Sequence, residues 1–122
     1  MPTMEITTDT IGPVTVIGLT GQLDSRSAPA AQERILSLLP DSRPVLLDLT
    51  GVSYLSSAGL RTMLLVYRRA RTVDSFIALV GLSAELRGVM AATGFLRFFV
   101  VADCVADGLE IVRAAEPREE AT

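Results

Sequence analysis

Two adjacent serines, Ser56 and Ser57, stand where an apolar run, Val45 to Leu49, and a short polar segment give way to a helical pattern. A hydroxyl at the mouth of a helix faces free backbone N–H groups and the positive end of the dipole. A phosphate added there is tolerated by the fold while it changes what can dock. Ser57 is therefore a candidate phosphoacceptor, and the small Ala58 and Gly59 behind it keep the helix start uncrowded. The plainer reading stays open beside this one: Ser56 or Ser57 is an N-cap and nothing more. Asp24 has the same two readings, as a cap ahead of the first helix or as a member of the site. Asp48, close to the end of a central strand, is expected to hydrogen-bond and shape a turn at Thr50-Gly51, since a buried carboxylate is costly unless paired. Cys104 is expected to pack as a small hydrophobe near the start of the last helix.

Composition removes several other chemistries. The 122 residues contain no histidine and one cysteine. That excludes a Ser-His dyad, an intramolecular disulfide and a thiolate metal cluster. All 11 basic residues are arginine, so a phosphate-binding loop that needs lysine is absent, and no Gly-x-Gly-x-x-Gly follows a strand. A nucleophilic Ser57 would have only carboxylates or arginines to activate it. No cofactor, metal or catalytic residue is expected. A net charge of -3 argues against a nucleic-acid footprint. Met1 to Asp9 lacks the apolar core of a signal peptide, and no segment has bilayer-spanning length, so a cytoplasmic protein without membrane association is the expectation.

The elements that must position these residues follow from periodicity. Met4 to Asp9 alternates, and Ile11-Gly12-Pro13 turns the chain into a second strand from Val14, a hairpin that makes the first strand antiparallel. Ala28, Ala31, Ile35, Leu38 and Leu39 line one face of a helix that stops at Pro40. Arg43 to Leu49 is apolar on both faces and so reads as a central strand. A helix from Ser57 to about Arg71 carries Leu60, Met63, Leu64 and Tyr67 at helical spacing. Ser75 to Val80 is the fourth strand, Ser83 caps a third helix through Met90, Phe98 to Val101 is the fifth strand, and Asp103 caps a last helix to about Ala115. Such βαβ units give an α/β fold: a mostly parallel five-stranded sheet with an antiparallel first strand and about four helices. One domain over residues 1–115 is expected, with a polar, disordered tail from Glu116 to Thr122. Strands two to five are expected to end on one edge of the sheet, which brings Asp24 and Ser57 to the same face.

Gly21-Gln-Leu-Asp24 together with Asp48-Leu-Thr-Gly-Val-Ser-Tyr-Leu-Ser-Ser-Ala-Gly-Leu60 resembles the STAS family, specifically bacterial anti-sigma factor antagonists. The likeness spans nearly the whole chain and includes Thr93-Gly94-Phe95-Leu96. It implies a protein whose unphosphorylated form binds an anti-sigma factor of histidine-kinase-like fold, itself a serine kinase, and frees the sigma factor. Phosphorylation would block binding and a serine phosphatase would restore it, in pathways such as stress response or sporulation. By position the acceptor is Ser57, with Asp24, Ser56, Ala58 and Gly59 as its neighbours at the docking surface and Asp48 and Gly51 shaping the turn. The family's usual Asp before the acceptor is Ser56 here, which leaves open which serine is modified. It also keeps a second reading in view, a STAS subunit of a transport or stress-signalling complex that is not phosphorylated. A monomer or weak dimer is expected.

Overall fold

A computed structural model describes residues 4–115; the expected tail from Glu116 lies outside the described residues. Its elements are β1 (Met4–Ile11), β2 (Val14–Leu23), α1 (Ala28–Leu38), β3 (Val45–Leu55), α2 (Ser57–Thr72), β4 (Ile77–Val80), α3 (Ala84–Ala92), a 3-10 turn (Leu96–Phe98), β5 (Val100–Ala102) and α4 (Val105–Ala115). The five strands lie in the order β1-β2-β3-β4-β5. β1 runs antiparallel to β2, and every other pair is parallel. The reversal from β1 to β2 takes only Gly12 and Pro13, and Gly12 supplies the positive φ of 60° that so tight a connection needs.

β3 is central for the reason its sequence suggests. Val45 and Leu47 point into one apolar cluster and Leu46 into the other, so this strand is buried from both sides. α1, α2 and α3 cover the first face, contributing Ala31, Ile35, Met63, Val66, Ala70, Leu86 and Met90. α4 covers the second face through Val112, against Val14, Leu46, Ala78, Val80 and Ala102. Each fully buried Leu, Ile or Met contributes about 1.5–3 kcal/mol relative to exposure, so this layering is where the stability resides.

Three expectations need correction. β3 does not stop at Leu49-Thr50. It continues through Gly51 to Leu55, because β2 also continues and offers a partner all the way to the pair Leu23 and Leu55. The expected turn at Asp48 to Gly51 is instead a strand with two register shifts, opposite Gly18/Thr20 and Gly21/Gln22. Second, Phe98 to Val101 is not one strand: Leu96 to Phe98 forms the 3-10 turn, and pairing begins at Val100. Third, α4 opens from Cys104, whose carbonyl accepts from Gly108 N–H at 2.9 Å, and not from Asp103. Cys104 is exposed rather than packed, and Asp103 lies 3.8 Å from Arg87.

The lengthened β3 changes the shape of the functional edge. Val80 of β4 and Ala102 of β5 end level with Asp48, whereas β2 and β3 run on to Leu23 and Leu55. The five residues of β2 beyond Gly18, at about 3.3 Å each, make with β3 a ledge that projects roughly 17 Å past β4 and β5, with β1 alongside as far as Gly21. The strands therefore end on one edge, as their parallel order requires, but not at one level.

Candidate functional site

The tip of this ledge is built by one backbone bond and one close approach. Ser56 N–H donates to the Leu23 carbonyl at 3.0 Å, which fastens the start of α2 to the end of β2. A Cβ on Gly59 would fall on that same carbonyl oxygen and within 2.9 Å of Leu55 Cδ1. Gly59 is buried, so its smallness serves close packing of the first helical turn against β2, not open access. Ala58 is half-buried beside it.

The two serines divide the work. Ser56 has extended backbone (φ -87°, ψ 178°), and its hydroxyl accepts from Gly59 N–H at 3.2 Å, so Ser56 is the N-cap of α2. Ser57 is the first helical residue and is exposed, and its hydroxyl makes no hydrogen bond among the described residues. No acidic residue lies in the first turn of α2, which leaves the positive end of its dipole uncompensated from within the helix.

Asp24 follows Leu23 directly and so lies beside Ser56, as the strand order requires. Its Oδ1 accepts from the backbone N–H groups of Arg26 (3.0 Å) and Ser27 (3.1 Å). Ser27 returns the favour through Oγ, which accepts from Asp24 N–H at 3.0 Å and donates to the Gln22 carbonyl at 2.7 Å. The Ser27 N–H, ahead of the Arg26 N–H, holds the Asp24 carboxyl below its ordinary range, because these bonds favour the charged form. The turn role that sequence allowed for Asp24 is thus present, and its Oδ2 has no partner among the described residues.

Asp48 and Gly51 stand apart from the serines. Asp48 is half-buried, and its Oδ1 accepts from Thr50 N–H at 3.0 Å and Thr50 Oγ1 at 2.6 Å. It shapes the following backbone as expected, but that backbone is the bulged strand. Gly51 pairs with Thr20, and a Cβ there would come within 2.6 Å of Thr20 Oγ1.

One residue on the ledge escaped sequence reasoning. Tyr54 is 51% exposed, two positions before the cap and in register with the exposed Gln22 of β2. The signal was there: an aromatic set among small polar residues, with Val52 and Leu55 taking the inward positions.

A family model for the STAS domain matches residues 5–108. A protein of Bordetella bronchiseptica bearing the name "Putative anti-sigma factor antagonist BtrV" is 33% identical over 116 residues, 94% of this chain and 100% of that one. The crystal structure of an anti-sigma factor antagonist from Mycobacterium paratuberculosis superposes with a TM-score of 0.81 at 24% identity, covering 90% of this chain and 94% of that one. SpoIIAA of Bacillus in its phosphorylated form gives a TM-score of 0.66 at 18% identity, covering 88% and 99% of the two chains. At such identities the structural likenesses speak for the fold alone. Among the described residues, no helix is long and apolar enough to cross a membrane.

Proposed function

The chain belongs to the STAS-domain family, and from that premise we propose that it is an anti-sigma factor antagonist switched by phosphorylation of Ser57. The observation that carries this reading is the division of labour at the ledge. Ser56 spends its hydroxyl on the cap, while Ser57 presents a free, exposed one at the projecting tip. Of the two serines, Ser57 is therefore the acceptor. The unmodified form binds an anti-sigma factor of histidine-kinase-like fold, which is also its serine kinase, and so releases the sigma factor. In the transfer step Ser57 Oγ bonds to the γ-phosphorus of ATP, the bond from that phosphorus to ADP breaks, and the hydroxyl proton passes to a base on the kinase. A phosphatase reverses the modification by hydrolysis. Ser57, Ala58, Asp24 and the exposed Tyr54 form the docking edge, and Tyr is a common anchor at interfaces.

Electrostatics and position explain how a phosphate would act. It adds about −1.5 to −2 charges. At a helix N-terminus this is compatible with the fold, so the effect falls on the interface. There like-charge repulsion and the burial of a dianion cost several kcal/mol, and each ~1.4 kcal/mol is tenfold in affinity.

A second reading, a STAS subunit of a larger assembly that is never phosphorylated, draws on Ser56 standing where the family has Asp. One experiment separates the two. The purified chain is incubated with the histidine-kinase-fold anti-sigma factors of the same genome and labelled ATP, and any phosphosite is mapped by mass spectrometry. Phosphate on Ser57 with loss of the complex is expected, as is a Ser57→Ala variant that binds but cannot be released. Phosphate on Ser56, or stable binding with no transfer, would overturn the proposed switch.

A further inference from the structure

The charge on α2 is as uneven as any in the molecule. Between Asp48 and Asp74 the chain has no carboxylate, although acidic residues outnumber basic ones 14 to 11 overall. The same stretch holds Arg61, Arg68, Arg69 and Arg71. Helical periodicity puts Gly59, Met63, Val66 and Ala70 on the buried side of α2. It puts Ser57, Arg61, Leu65 and Arg68 on the opposite side, as successive neighbours one turn apart. Ser57, Arg61 and Arg68 are exposed and Leu65 is half-buried. No carboxylate pairs with Arg61 or Arg68 among the described residues, where the ion pair found is Arg87 with Asp103. α1, packed alongside, adds Glu33 and Arg34, which cancel.

We infer that this stripe, Ser57–Arg61–Leu65–Arg68, is the part of the docking surface that meets the anti-sigma factor, and that the partner's facing segment is acidic with an apolar residue between its carboxylates. The inference rests on the proposed function and adds the chemistry of the partner. Charge complementarity fixes its sign, because an acidic protein that keeps one helix free of carboxylates presents a local cation field to an acidic surface. The spacing fixes its grain. Arg61 and Arg68 are seven residues apart, about 10.5 Å along the axis at ~1.5 Å per residue, which matches two carboxylates two turns apart on a facing helix. The half-buried Leu65 between them calls for an apolar side chain between those carboxylates.

The same geometry gives the switch its direction. Ser57 heads the stripe, one turn from Arg61. A phosphate there both repels the partner's carboxylates and pairs with Arg61, since groups at this helical spacing are neighbours. Modification would thus cancel most of the positive charge of the stripe and not merely add bulk to its end.

The test uses the full chain and the same purified anti-sigma factors, with association and dissociation followed by surface plasmon resonance at rising salt. Binding by the unaltered chain that weakens as salt rises is expected. Arg61→Glu should slow association at least tenfold, and Arg61→Glu with Arg68→Glu should abolish it. Arg34→Glu on α1 should change it less than threefold. All these side chains are exposed, and a thermal melt checks that each variant folds. Binding that survives the double reversal, or that rises with salt, overturns the acidic-partner assignment and leaves the antagonist reading standing. If the unaltered chain binds none of the anti-sigma factors, the proposed function falls, and this inference with it.

Discussion

The starts of α2 and α3 are built to the same plan and finished differently. Each has a serine with extended backbone as its N-cap, and each serine accepts from the N–H three residues on, Gly59 for Ser56 at 3.2 Å and Leu86 for Ser83 at 3.1 Å. α3 then supplies Glu85 in its first turn, the carboxylate its dipole favours, while α2 has none. In its first turn α2 offers instead the exposed hydroxyl of Ser57, one residue nearer the cap. One helix carries its negative charge in its own sequence, and the other is left able to acquire it. Between these two helices the cap is the constant and the charge beyond it is the variable.

The largest contrast should come from the glycines of the two helices. Gly59→Ala puts a methyl onto the Leu23 carbonyl and should cost about 1–3 kcal/mol by overpacking. Gly88 in α3 has open space around a would-be Cβ, so Gly88→Ala should gain roughly 0.5–1 kcal/mol of helix propensity. Urea unfolding measures both, and equal effects at the two sites would contradict the close approach at the ledge. Next come the caps. Ser56→Ala and Ser83→Ala should each cost about 1 kcal/mol, and Ser57→Ala should stay within ~0.5 kcal/mol. A Ser57→Ala loss as large as that of Ser56→Ala would mean the roles of the two serines are reversed.

Charge gives a smaller and more selective effect. Ser57→Asp should raise stability by about 0.3–1 kcal/mol, and Glu85→Gln should lower it by a similar amount. Both changes should fade in high salt. Thermal melts at two ionic strengths test this, and a destabilised Ser57→Asp would remove the interface explanation of the switch. Smallest is the turn beside the ledge. The folded-state pKa of Asp24 is lowered from the ordinary 3.8 by its backbone bonds. Its contribution is therefore complete above that value and lost as pH falls through the lower folded value. Asp24→Asn should flatten the pH dependence of stability below about pH 4, and an unchanged acid limb in the variant would contradict those bonds.

Much of the fold was legible in the sequence, because periodicity reports which side of an element is buried. The hairpin at Gly12-Pro13, the doubly apolar centre of β3 and the helical spacing of Leu60, Met63 and Tyr67 all stand where their patterns put them. The length of β3 was not legible. Thr50-Gly51 has turn composition, and only pairing with a β2 that continues to Leu23 keeps it extended, a partner effect that no local pattern contains. The end of α3 misled in another way. Gly94, at φ 82°, lets Phe95 N–H fold back to the Met90 carbonyl, and the aromatic run that follows coils before it pairs. At the site, sequence placed Ser57 at the mouth of α2, and the Ser56–Leu23 bond brings that helix start to the strand end that Asp24 follows. The assignment of the cap to Ser56 was beyond it, because two adjacent serines are equivalent until the backbone angles are known.

The two register shifts in β3 have a consequence for how this segment can change over generations. Leu47 and Leu49 reach the core two residues apart, but Leu49, Val52 and Leu55 reach it three apart, so each shift absorbs one surplus residue. Losing one surplus residue would remove one shift and leave plain alternation there, so Leu55 would still face inward and the start of α2 would keep its place. Losing one from each shift would leave β2 and β3 in plain register from Asp48 to the tip, with the ledge as long as β2 makes it. The two shifts are thus slack in the strand: β3 can give up one residue at each of them while the hydroxyl at the tip keeps its heading.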